Sequence, residues 1–241
     1  MDMRSLMEPK DRGAAQGGFT LIELAIVLTI VGLLIGGILK GQELIHDTQL
    51  KMTMTDVQNF TSAINAFQDK YGAYPGDYSL ASTNINANLQ NGNGDGIIGG
   101  QNAYATNTVG STAWEEEILF QQLSAAGYIS GAQVAPTTNQ AGLSYPKGRL
   151  SSSAYEFVDN TATAGQTSAH LIELIGSVTG QRNMILTPTD ASLLDSKFDD
   201  GNPNTGNIQT YDGTCMSGNG STAKYTLATT SVACTLGFLM P

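Results

Sequence analysis

Glu23 is the only charged residue in the segment Phe19–Leu39, FTLIELAIVLTIVGLLIGGIL. An ionised carboxylate in the apolar interior of a bilayer costs at least about 2.5 kcal/mol, so it needs a partner. A cut just before Phe19 would free an amine four residues earlier, on the same helix face. The residues for such a cut are present, because Gln16-Gly17-Gly18 forms a small-residue boundary ahead of the apolar run. An ordinary secretory signal places its small-residue site after the apolar stretch, and no A-x-A site follows Leu39. Cleavage after Gly18 removes a polar leader, residues 1–18, and keeps the apolar helix. That arrangement calls for a membrane protease working on the cytoplasmic face.

Other candidate chemistry is sparse. Asn91, Asn93 and Asp95, followed by Gly96 and Ile98, resemble the opening of an EF-hand-type calcium loop, with oxygen ligands at positions 1, 3 and 5. Position 12 is Asn102 instead of the bidentate Glu of the full loop, though Glu115 to Glu117 could supply a distant carboxylate. A second acidic turn runs from Asp195 through Asp199-Asp200-Gly201 and reads as a helix end followed by an Asp-Gly turn. His46 and His170 are far apart with no catalytic partner nearby. Cys215 and Cys234 form no CxxC and no zinc-type spacing. No Ser/His/Asp array and no phosphate loop is recognisable, so the reading is not an enzyme and calls for no cofactor, calcium being the one candidate. Charged residues are 13% of the chain and the formal net charge is -10, which makes nucleic acid a poor partner.

The elements that position these residues follow from the apolar pattern. Residues 19–39 form a helix spanning roughly 31 Å, close to the thickness of a bilayer core. Residues 40–72 continue it in amphipathic form: Leu50, Met54, Val57, Phe60, Ile64, Phe67 and Tyr71 recur every three or four positions. Gly72 and Pro75 supply the stop. Residues 73–241 make a globular head. Within it a polar stretch of loops and short turns runs to Thr112. Thr112-x-x-Glu115 offers a capping box for a helix over 113–126 ending at Gly127, with Trp114, Ile118, Leu119 and Leu123 on its buried side and Glu115 to Glu117 solvated. The region 155–241 reads as sheet, with strands at AYEFV, HLIELIGSV, NMILT and the final CTLGFLM, and a short helix over Pro188–Phe198. The fold class is α+β: one long N-terminal helix whose amphipathic half packs on a small antiparallel sheet.

The run GG-FTLIELAIVLTIVGLL closely resembles the N-terminal signature of type IV pilins and type II secretion pseudopilins, over about 25 residues. YGAYPGDY, Tyr71 to Tyr78, also resembles the helix exit of many pseudopilins, and LTPTDASLLDSKFDDGNPNTGNI resembles a segment of other bacterial prepilin-type proteins. The resemblance implies cleavage between Gly18 and Phe19 by a prepilin peptidase, N-methylation of Phe19, and pairing of Glu23 with the Phe19 amine of a neighbouring subunit. Its partners are then the peptidase, the inner membrane and other pilin or pseudopilin subunits, met through the N-terminal helix. The head lies in the periplasm and, after assembly, on a filament or at the cell surface. Lys10 and Arg12 favour a cytoplasmic leader, and Lys40 opposes them. The leader departs from the family in balancing Arg4, Lys10 and Arg12 with Asp2, Glu8 and Asp11. In an oxidising periplasm the two cysteines are expected to pair, as pilins often staple a C-terminal loop. The alternative from another class is a monomeric membrane-anchored binding or enzymatic domain borrowing the same export signal. It predicts a deep pocket with convergent polar groups in the head.

Overall fold

The computed structural model describes residues 19–98, 104–105, 113–131, 145–159, 170–176, 183–210 and 212–240. Gly18 and Asn102 lie outside them. The contacts divide the chain into two units, one ending at Ile45 and one beginning at His46. A single helix, α1 (Leu21–Tyr71), contributes to both. In the first unit its apolar side chains are exposed all round, from Leu21 at 89% to Val31 at 42%. A helix apolar on every side wants lipid or other helices about it, and this one is long and apolar enough to cross a membrane.

In the second unit α1 is one-sided. Leu50, Val57, Ile64 and Phe67 are buried, and Met54, Phe60 and Tyr71 pack against the same core. Burying a large apolar side chain contributes about 1.5–3 kcal/mol, so this face is a main source of the head's stability. Gly72 ends the helix in the left-handed region, φ 71°, with its N–H on Gln68 O at 2.8 Å, a conformation that a Cβ penalises. After a short α2 (Ala81–Asn84), two-residue strands β1 (Tyr104–Ala105) and β2 (Ala113–Trp114) pair antiparallel. α3 (Glu115–Ala125) follows directly. The helix expected over 113–126 therefore starts later, because Ala113 and Trp114 are committed to strand pairing. Its end is as the sequence indicates: Gly127 has φ 82° and Tyr128 N–H reaches back to Leu123 O.

The main sheet is antiparallel, in the order β3-β4-β8-β5, from β3 (Ser153–Asp159), β4 (His170–Gly176), β5 (Ile208–Gln209) and β8 (Leu236–Leu239). β3 and β4 pair over seven residues, from Ser153↔Gly176 to Asp159↔His170. Leu171 to Gly176 are buried without alternation, as fits a strand covered on both faces. A smaller ribbon joins β6 (Met216–Ser217) to β7 (Lys224–Tyr225). NMILT, read from sequence as a strand, makes only isolated bridges, Gly176↔Asn183 and Leu186↔Cys234. β8 holds the place beside β4, and Thr187 already caps the next helix, so the segment has no room to extend. That helix, α4, spans Pro188–Phe198 as expected, with Pro at its start and Thr187 Oγ1 accepting from Asp190 N–H. The core closes where α1, α3 and β3 meet: the Phe60 ring stands edge-on to Phe120 at 5.5 Å and to Tyr155 at 5.1 Å.

Candidate assembly terminus and acidic clusters

The helix begins just beyond the expected cleavage point. Phe19 and Thr20 are non-helical and exposed, and Thr20 caps α1. Its Oγ1 accepts the Glu23 N–H at 3.3 Å, while its N–H and its hydroxyl donate to Glu23 Oε2 at 2.9 and 2.8 Å. This is a capping box, in which the first turn's unpaired N–H groups and the acidic side chain satisfy each other. The sequence reading assigned Glu23 to an amine and missed this local partner.

The head gathers several of its carboxylates into clamps on backbone N–H groups. Asp77, fully buried beside the helix exit, accepts Asp95 N–H on Oδ1 and Gly96 N–H on Oδ2, both at 3.0 Å. Burial pushes its carboxyl up from the ordinary range and nearby Asp95 adds to this, while the N–H groups of Gly96, Gly94 and Asp95 act the other way. Glu115, expected to be solvated, is fully buried, and its Oε1 accepts Asn93 N–H at 2.8 Å. It lies inside because α3 starts at Glu115 itself, where the chain closes on the turn at Gly76. A Cβ on Gly76 would press on Glu115 O at 2.6 Å. Asp77, Asp95 and Glu115 bring carboxylate oxygens within 4.8 Å of one another.

Of the three residues read as a calcium loop, Asn93 and Asp95 join this cluster. Asn93 Oδ1 accepts Asp95 N–H and Asn93 Nδ2 donates to Asp95 Oδ2. Asn91 turns away, its Oδ1 taking Ser82 N–H at 2.8 Å. The cluster thus offers Asp77, Asp95, Glu115 and Asn93, the hard oxygen donors that calcium takes; backbone carbonyls or water would have to complete its 6–8 ligands. Asp77 went unread because a single Asp in a turn carries no spacing signal.

The second acidic turn is a clamp of the same kind. Asp195, buried in α4, accepts the Tyr225 hydroxyl at 2.8 Å and Gly201 N–H at 2.9 Å. Burial raises both its carboxyl and the Tyr225 phenol, so the phenol stays a donor. Asp199 accepts N–H groups from Asn207 and Ile208, and Asp200 accepts Asn202 N–H and the Thr205 hydroxyl. Together they fasten the end of α4 to β5.

Two long-range pairs escape sequence reading altogether. Asp56, on the buried face of α1, takes a bidentate pair from Arg149, Nε at 2.6 Å and Nη2 at 2.7 Å, and the Tyr155 hydroxyl at 3.2 Å. His46 Nε2 lies 3.0 Å from Asp190 Oδ1 in the first turn of α4. The one sequence signal for Asp56 is its place inside an apolar stripe. A groove of about 670 Å³ runs beside Asp56 and Arg149, lined also by Asn59, Phe60, Tyr128 and Lys147. Asp56 and Arg149 face each other across their own ion pair there, so these two charges do not converge on a ligand.

Cys215 and Cys234, both buried, form the expected disulfide, with Cα atoms 5.0 Å apart. It joins the start of the β6–β7 ribbon to the residue two before β8.

Residues 13–39 match the family described as the prokaryotic N-terminal methylation motif, the prepilin signal of type IV pilins and pseudopilins. No curated protein and no solved structure matches the chain.

Proposed function

We propose that this chain, which carries a prepilin signal ahead of an exposed apolar helix, is a structural subunit of a type IV pilus or a type II secretion pseudopilus. A prepilin peptidase cuts between Gly18 and Phe19 and Phe19 is N-methylated. Residues 19–39 then anchor the protein in the inner membrane with the head on the periplasmic side. Subunits leave the membrane by packing their N-terminal helices together, and Glu23 of one pairs with the Phe19 amine of the next, which fixes their axial register. The role calls on no catalytic centre.

The observation that carries this reading is the junction itself. The signal match at 13–39 runs straight into a helix whose apolar side chains are exposed all round between Leu21 and Leu39, a surface that only lipid or other helices can cover in water-free surroundings. Intact mass of the protein from a peptidase-positive host tests it. The expected species begins at Phe19, carries one added methyl group and is two hydrogens lighter for the disulfide. A mature chain beginning elsewhere, or one retaining residues 1–18, overturns the processing step.

A further inference from the structure

The β6–β7 ribbon turns through Gly218-Asn219-Gly220, and this turn carries latent chemistry. An asparagine amide followed by glycine is open to attack by the glycine's own backbone nitrogen, because no side chain shields that nitrogen. The chain holds three such pairs, Asn91-Gly92, Asn93-Gly94 and Asn219-Gly220. The first two are tied at both reacting ends. Asn91 Oδ1 takes Ser82 N–H, and Gly92 N–H donates to Tyr78 O. Asn93 is bonded through both ends of its amide to Asp95, and Gly94 N–H donates to Asp77 O. Asn219 differs. It is exposed, and among the described residues its side-chain amide makes no hydrogen bond. Only the nucleophile is held, by a side chain: Gly220 N–H donates to Asn204 Oδ1 at 2.6 Å. Asn204 belongs to the turn after α4, where its own N–H rests on Asn202 Oδ1 at 3.0 Å.

We propose that Asn219 is a self-modifying site of the head, converting spontaneously to aspartate and isoaspartate, and that Asn204 slows the conversion by holding the Gly220 nitrogen. The Gly220 nitrogen gives up its proton and bonds to Asn219 Cγ. The Cγ–Nδ2 bond breaks, and ammonia leaves with that proton. Water then opens the cyclic imide at either carbonyl, giving aspartate or, with the main chain rerouted through Cβ, isoaspartate. Amide and water become acid and ammonia, with no oxidant or cofactor. Ring closure needs the nitrogen to swing round to Cγ, and an intramolecular attack is fast only from that geometry. The extended backbone of Asn219, φ -139° and ψ 154°, keeps the two atoms apart. The bond to Asn204 must break before the nitrogen can move, and the Thr222 hydroxyl steadies the same peptide by donating to Asn219 O at 2.9 Å. Each conversion adds a negative charge to an exposed turn of a chain already at net charge -10. As isoaspartate it also adds a backbone atom inside the loop closed by Cys215 and Cys234. A long-lived copy therefore records its age at this turn, whatever its role in assembly.

The test is timed peptide mapping. Detergent-solubilised full-length chain with its disulfide intact is incubated in neutral buffer, and deamidation at each asparagine is followed by mass spectrometry, with isoaspartate confirmed by enzymatic methyl labelling. In the folded protein Asn219 should convert faster than Asn91 and Asn93. In chain that is reduced and denatured the three should converge, since only the fold distinguishes them. Asn204→Ala frees the Gly220 N–H and should speed conversion at Asn219 about fivefold, the worth of one neutral hydrogen bond. Asn204→Asp keeps an acceptor oxygen and should stay as slow as wild type. Asn219→Gln should abolish conversion at this position, because its longer side chain closes the larger ring poorly. Equal rates at all three pairs in the folded protein, or an Asn219 that converts only when denatured, overturn the site. An unchanged Asn219 rate in Asn204→Ala overturns the part given to Asn204. So does a matching rise at Asn91 and Asn93 in that variant, which would mean a general loosening of the head.

Discussion

Asp56 and Arg149 are unequally exposed, and that inequality decides what each contributes. The Asp56 side chain is 11% exposed and that of Arg149 is 46%. Removing the arginine strands a buried carboxylate with only the Tyr155 hydroxyl and its own helix around it. Removing the acid's charge leaves a guanidinium that water can reach. A stranded buried charge costs more than a lost pair. Arg149→Ala should therefore destabilise the head by about 2–4 kcal/mol, and Asp56→Asn by about 1 kcal/mol, since the amide oxygen still accepts from Tyr155. Thermal unfolding of detergent-solubilised protein should show that order. The reverse order would mean the carboxylate is not buried as described.

Among the elements, those set by local rules were legible in the sequence. The stripe of α1, the glycine stops at Gly72 and Gly127 and the bounds of α4 all follow from spacing and caps within a few residues. The capping box at Thr20–Glu23 obeys the same S/T-x-x-E rule read at Thr112–Glu115, yet the apolar run around it hides it. Elements that depend on distant partners were not legible. Glu115 is buried because of a turn at Gly76, NMILT fails as a strand because β8 takes its place, and Asp56 meets Arg149 across 93 residues. The turn after α4 lies between these cases: its Asp-Gly chemistry is visible, its clamp is not. Gly206 has φ 73°, and a Cβ there would run into the Asp199 carboxylate. Gly206→Ala should cost about 2–4 kcal/mol, from the left-handed backbone and the displaced N–H bonds of Asn207 and Ile208. Gly213→Ala, where a Cβ meets nothing within 4 Å, should stay within about 0.5 kcal/mol. Equal melting temperatures for the two variants would count against the clamp.

For the whole molecule, the disulfide is a cross-link late in the chain that closes a loop of sequence separation 19. In the chain-entropy account a loop of that size contributes about 3 kcal/mol. Replacing both cysteines by serine should lower the melting temperature by about 6–12 °C for a domain of this size. Wild-type protein melted under reducing conditions should match the double variant, and no change in either case would make the bond energetically idle. β8 raises a question of chronology instead of strength. It is the last described strand in chain order but an inner strand of the sheet, with β4 on one side and β5 on the other. The β3–β4 hairpin can close as soon as its residues are free, whereas β5 waits, and so does Cys215. Pairing that must await a distant segment is slow and leaves strand edges open in the interval. A chain whose synthesis or export halts before Cys234 therefore has its β3–β4 pair free to close, its sheet uncapped and its Cys215 thiol unspent, which is the state a protease or chaperone would meet first.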